Sequence, residues 1–314
     1  MTRFRSRHAT RVAIVAGPAL CGAGLLLAQT TPPDISFAPR SDPSLKDPDN
    51  PTKEFGVDFA QVEFGSPLSR ADLMKVTPDN LAVASQEQLD QIYARSTAGT
   101  IPDGPYLSNL FFPHGENFGS RLGEIVGGMR GRVADAGVEA IEAVVRSLWK
   151  GKVFNRDQRV LWNMVENLVK LRDRIDDPST VPTSNIPRGG FLGRILPEDR
   201  VWLLFPAKVY CGQSLLDSRR ESIILDYNYA DEIDGYRARP DGLAGRGGLR
   251  IRDEIRMVRP GLYLGRAYAN RMFLLNFTLY NPDVAEAESA RFTAGIAVAE
   301  DCWAGEQARK AAVR

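Results

Sequence analysis

The stretch "RDEIRMVRPGLYLGRAYANRMFLLNFTLY", Arg252 to Tyr280, decides the fold. Pro260-Gly261 and Asn270-Arg271 are turn-forming pairs, and the three runs they separate have strand length and are rich in apolar and aromatic residues. They read as three consecutive antiparallel β-strands. Pairing across those two turns sets Met257 opposite Leu264, Ile255 opposite Arg266, and Tyr268 opposite Phe273. Side chains alternate along a strand, so one face then collects Asp253, Ile255, Met257, Leu264, Arg266 and Tyr268 with Leu275, Phe277 and Leu279. That face is the more apolar, hence the inner one, yet it carries one Asp and one Arg. Asp253 and Arg266 fall on a diagonal across the hairpin, within reach of each other, with Tyr268 beside both. A lone charge in an apolar interior costs several kcal/mol. The two therefore form a structural ion pair, line the polar end of a ligand cavity, or, for Asp253, supply a catalytic acid.

Working outward, the chain is β-rich from Val201 on, with "VWLLFPAKVY" and "ESIILDYNY" ahead of the three strands. Pro206 cannot donate to a ladder, so its strand is an edge or carries a bulge. With "YLSNLFF", "GKVF" and "RFTAGIAV" added, about eight candidate strands result, the number that closes a small barrel. Upstream the pattern is helical. "TPDNLAVASQEQLDQIYAR" has Thr77 as N-cap, Pro78 at the first helical position and apolar residues at helical spacing. "VEAIEAVVRSLW" presents Val138, Ile141, Val144, Val145 and Leu148 as one stripe. "VLWNMVENLVKLRDRI" is ambiguous between strand and helix and is read as helix.

The N-terminus "MTRFRSRHATR" is basic and is followed by the apolar "VAIVAGPALCGAGLLLA". This is the pattern of a secretory signal peptide cleaved after Ala28; an uncleaved membrane anchor is the alternative. Residues 29–55 are rich in Pro, Asp and Ser without an apolar period and read as a disordered tether. The expected organisation is thus a leader over 1–28, a tether over 29–55 and a mainly helical region over 56–148. An antiparallel barrel-like domain over 149–300 and a C-terminal tail over 301–314 follow. Export would place the protein in the periplasm or outside the cell, with no membrane span once the leader is gone. Cys211 and Cys302 are then the remaining cysteines, either a disulfide closing a long loop or two separate buried thiols.

Composition excludes some partners. The 314 residues hold 40 Lys and Arg against 39 Asp and Glu, so no global field draws nucleic acid. Past the leader the sole histidine is His114, which rules out a multi-histidine metal centre, and no metal or cofactor is expected. Ser214 in "CGQSLL" has Leu216 where a nucleophile elbow needs its second Gly. Asp231, Glu232 and Asp234 in "DEIDGY" are a fragment of a calcium loop, and "GLAGRGGLR" precedes a strand where a phosphate cradle would follow one. Asp226 interrupts the apolar run "IILDYNY", either as an ordinary hydrogen-bonded carboxylate or as a cavity acid.

Two pieces together resemble a known family. "SLWKGKVF" is similar to the G-x-W-x-G signature of lipocalin-like and nitrobindin-like barrel proteins, with Trp149 and Gly151 in place and Ser147 at the first glycine position. "ESIILDYNY" resembles a strand of the same proteins, through Ile224, Leu225, Asp226 and Tyr227. The resemblance implies an antiparallel barrel around a small-molecule cavity, with Trp149 and Asp226 near it and no defined catalytic residue.

The expectation is therefore an exported α+β protein: an antiparallel barrel-like sheet with a helical N-terminal region. It would bind a small apolar or amphipathic molecule, with Asp253, Arg266 and Tyr268 at the polar end of the cavity. The alternatives are an enzyme acting on a lipid or steroid-like substrate through a cavity Asp, and an envelope scaffold.

Overall fold

The computed structural model describes residues 31–39, 57–111, 149–166, 168, 171, 175–185 and 200–305. The leader, most of the tether, the stripe from Val138 to Leu148, His114 and residues 306–314 lie outside the described residues.

Eight antiparallel strands close on themselves. They are β1 (Gly104–Phe111), β2 (Trp149–Asn155), β3 (Val160–Val165), β5 (Arg200–Gln213), β6 (Glu221–Asp226), β7 (Ile251–Arg259), β8 (Leu262–Ala269) and β9 (Met272–Tyr280). Around the ring the order is β3-β2-β1-β9-β8-β7-β6-β5, and pairing of β3 with β5 completes it. A three-residue strand, β4 (Thr183–Asn185), adds to the end of β5. Closure removes the unpaired edges of an open sheet.

Four short helices, α1 (Phe59–Gly65), α2 (Arg70–Met74), α3 (Pro78–Ala82) and α4 (Gln86–Arg95), precede the barrel, and α5 (Pro282–Thr293) follows it. The segment expected as one helix over Thr77–Arg95 is two. Thr77 caps α3 as anticipated, but Ser85 captures the backbone N–H of Gln88 while the Gln88 side chain takes that of Ser85. This second capping box starts a new helix after a short break. Residues 31–39, placed within the tether by composition, lie against α4: Gln91 accepts from the Ala38 N–H, and Phe37 stacks on the Arg95 guanidinium.

Two further expectations are corrected. "VLWNMV", read with the following residues as helix, is β3, because it is needed to join β2 to β5. "RFTAGIAV", counted as a strand, ends α5 and then runs on without regular structure; Asn281 and Pro282 nucleate the helix that takes its first residues. The barrel also begins earlier than residue 149, since β1 sits between β2 and β9. The bulge foreseen at Pro206 is present: Phe205 and Pro206 together oppose Trp162, and Phe205 has φ of 50°.

Packing divides into layers. Inward residues of the barrel, among them Tyr106, Phe154, Leu225, Ile255, Tyr263 and Phe277, form one apolar cluster. The outer face of β7 and β8 is also buried, because Val258, Leu262 and Leu264 pack against Leu81, Leu89 and Ile92 of the helices. A wall covered on both sides explains why β8 is buried at every position.

The turns at Pro260-Gly261 and Asn270-Arg271 are as expected, but the register is not. Met257 pairs with Tyr263, Ile255 with Gly265 and Asp253 with Ala267. Val258 is an extra residue on β7 and Leu274 an extra residue on β9, each beside a turn leading into or out of β8. Each bulge shifts alternation by one. Asp253, Ile255, Met257, Leu275, Phe277 and Leu279 keep the inward face, whereas β8 turns over and puts Tyr263, Gly265 and Ala267 inside. Arg266 and Tyr268 face the helices.

Candidate functional site

The consequence for the expected ion pair is direct: Asp253 and Arg266 are on opposite sides of the barrel wall. Arg266 pairs with Asp90 of α4, donates from Nε to the Tyr268 hydroxyl at 2.9 Å, and stacks on Phe273 with its guanidinium carbon 4.1 Å from the ring centre. Nearby, Arg256 donates to Ser222 at 3.0 Å and lies against Asp217, and the Tyr93 hydroxyl is bonded to Ser222 at 2.9 Å. These contacts fasten α4 to the outer wall.

Inside, Asp253 has a different cation. Lys152 follows from the alternation of β2: Lys152 and Phe154 point inward, and a bulge at Lys150 brings Trp149 to the same side. The Lys152 Nζ lies 3.1 Å from Asp253 Oδ2 and donates to Asn163 Oδ1 at 2.8 Å and the Tyr227 hydroxyl at 2.6 Å. Tyr227 in turn donates to Asp253 Oδ2 at 3.3 Å. Four strands or strand ends thus meet at one buried ammonium. Its remaining surroundings are aromatic: Nζ is 4.2 Å from the Trp149 ring centre and 5.4 Å from that of Phe277.

Burial dominates the electrostatics of this cluster. It pushes Lys152 down to about 8, against the attraction of Asp253, and pushes Asp253 upward, against the attraction of Lys152. The Tyr227 hydroxyl is raised by burial and then by the Asp253 charge. Donor and acceptor counts are uneven. All three Lys152 hydrogens have acceptors, but Asp253 Oδ1 has no donor among the described residues.

At the barrel end formed by the Pro260-Gly261 turn lies a cleft of about 500 Å³. Tyr106, Met257 and Tyr263, inward residues of three strands, form its floor; Phe292 and Val298 wall it, and Arg156 stands at its rim. Residues 294–303 run past this opening. Glu300 accepts from the Gly99 N–H at 2.8 Å, Asp301 accepts from the Ile101 N–H and from Arg156, both at 2.7 Å, and Cys302 is disulfide-bonded to Cys211 of β5.

Of the residues expected at a site, Asp253 and Trp149 meet around Lys152, while Arg266 and Tyr268 serve the helix contact. Asp226 is on the outer face, where it caps the turn after β6 by accepting from the Asn228 N–H at 2.9 Å and takes the Tyr210 hydroxyl at 2.5 Å. Lys152, Asn163 and Tyr227 were not anticipated. The alternation of "WKGKVF" put Lys152 beside Phe154 on one face, and that was the available signal. Asn163 lay in a segment read as helix.

The other motifs resolve as local structure. Ser214 accepts from the Leu216 and Asp217 N–H groups at 3.1 and 3.3 Å, so its hydroxyl closes a turn. Asp231 pairs with Arg246, and Glu232 with Lys208. Among the described residues the group nearest to a metal-ligand set is Cys211, Glu221 and Cys302, whose sulfurs are joined in the disulfide. Also among the described residues, no helix is long and apolar enough to cross a membrane. Comparison with protein-family models, curated proteins and solved structures finds no match.

Proposed function

We propose that this is an exported barrel protein of lipocalin-like or nitrobindin-like character that binds a small apolar or amphipathic molecule. The observation that carries the reading is the cleft of about 500 Å³ floored by Tyr106, Met257 and Tyr263, a volume suited to a compact ligand. A charged rim over an apolar floor favours a molecule with one polar end. Export is supported by the basic-then-apolar leader and by the Cys211–Cys302 link, since such links persist in oxidising compartments. The test is native mass spectrometry of gently purified protein, followed by thermal shifts with a panel of lipids and isoprenoids. A released small molecule, or a shift that is lost in Tyr263→Ala, is the expected result. No released molecule and no shift across the panel would count against binding.

A second reading, an enzyme for lipid or steroid-like substrates, is favoured by the opposed displacement of the Lys152 and Asp253 proton affinities inside one apolar barrel interior. In that case Asp253→Asn abolishes turnover while the circular dichroism spectrum at room temperature remains that of the folded chain, although the unfolding midpoint falls because Lys152 loses its counter-charge.

A further inference from the structure

The Lys152–Asp253 cluster is electrically balanced but short of one hydrogen-bond donor. Asp253 Oδ1 is fully enclosed and meets no donor among the described residues. Its own wall offers none: Leu225 and Ala267 flank Asp253 in register, and Ile251 and Ile255 are its neighbours along the strand on the inward face. Lys152 has no hydrogen to spare, and the single Tyr227 hydrogen is taken by Asp253 Oδ2 or Asn163 Oδ1, each at 3.3 Å. A buried carboxylate oxygen left unmet costs more than a neutral group would, so a donor from outside the wall is favoured.

Resting on the binding reading above, we infer that the ligand is a neutral hydroxyl-bearing apolar molecule whose O–H donates to Asp253 Oδ1. A carboxylate ligand would bring an acceptor to an acceptor. A cationic ligand would add a second positive charge beside Lys152, in an interior where the existing pair already cancels. A hydroxyl supplies the hydrogen and no charge. Reach follows from the strand: Met257 on the cleft floor and Asp253 share the inward face of β7 four residues apart, roughly 13 Å. The path passes Ile255 and the Phe277 ring, which lies over Gly265 and has to be displaced for a ligand to reach Asp253.

The test uses two apolar scaffolds, decanol and naphthylethanol, each compared with its methyl ether and with the carboxylate of the same skeleton. Binding to the full mature chain is measured by calorimetry. The expected result is that at least one alcohol binds about tenfold or more tightly than its ether, with the carboxylate weakest. In the Lys152→Met/Asp253→Leu double variant that preference falls to within about threefold. Ethers binding as tightly as alcohols would overturn the donor assignment and leave the binding reading intact; no binding by any of the six compounds would overturn both. Should the double variant not fold, the alcohol-to-ether ratio of the native chain decides alone.

Discussion

Lys152 and Asp253 are each other's main compensation, and the effect of changing one depends on the other. Lys152→Met leaves a carboxylate in the barrel without its cation, and is expected to cost about 3–5 kcal/mol. Lys152→Met/Asp253→Leu removes both charges and is expected to recover most of that loss. Urea unfolding of the two single variants and the double variant gives the coupling energy; additive effects would show that the contact contributes nothing. A pH dependence follows from the same burial. Lys152 titrates near 8 in the folded chain against 10.5 for the free side chain, so between these values the unfolded state holds a proton that the folded state has released. Stability from this group therefore rises with pH through that window. Tyr227 acts in the opposite sense above about 10, because its raised value makes ionisation favour the unfolded chain. The stability of the native chain minus that of the double variant should thus climb from pH 8 toward pH 10, and a flat difference would contradict the assignment. Asp253 was legible in the sequence as a charge among inward-facing apolar residues. Its partner was not, because the partner comes from a strand a hundred residues earlier and no local pattern joins them.

At the level of elements, the decisive features are single extra residues. The turns at Pro260-Gly261 and Asn270-Arg271 were readable from turn chemistry, and the inward assignment of Asp253, Ile255, Met257 and Phe277 survived. The bulges at Val258 and Leu274 carry no comparable signature, being ordinary apolar residues in apolar runs. They invert β8, and with it Arg266 and Tyr268. Apolarity gave no warning, since the helices bury the outer wall as thoroughly as the barrel buries the inner one. The inversion brings Gly265 inside, under the Phe277 ring, where an added Cβ would come within 2.3 Å of ring carbons. Gly265→Ala is accordingly expected to destabilise by about 1–3 kcal/mol through overpacking, read from the urea midpoint. An unchanged midpoint would mean that the ring has free space to retreat into.

For the whole molecule, the barrel could be anticipated from the number of strand-like runs, although one of them was exchanged: β3 for the residues that end α5. Closure is a non-local condition, and it decided the ambiguous segment. The pairing of Cys211 with Cys302, one of two readings open from the sequence, links β5 to the segment that passes the cleft, across 91 positions. Replacing both with Ser is expected to cost about 2–5 kcal/mol. Hydrogen exchange should show where: the Ile101 and Asp301 amides, held by this segment, should lose protection while those of β8 retain it. Uniform loss of protection would instead indicate that the link stabilises the barrel as a whole.

The two bulges flanking β8 act as a matched pair of phase shifters. A descendant chain that lost both Val258 and Leu274 could rotate this one strand by half a turn and bring Arg266 to the inner face with Asp253, its composition otherwise unchanged. Losing either alone would leave β8 in step with one neighbour and out of step with the other. A ring has no loose end at which to hide such an error, so the two positions are tied to a common fate although fifteen residues lie between them.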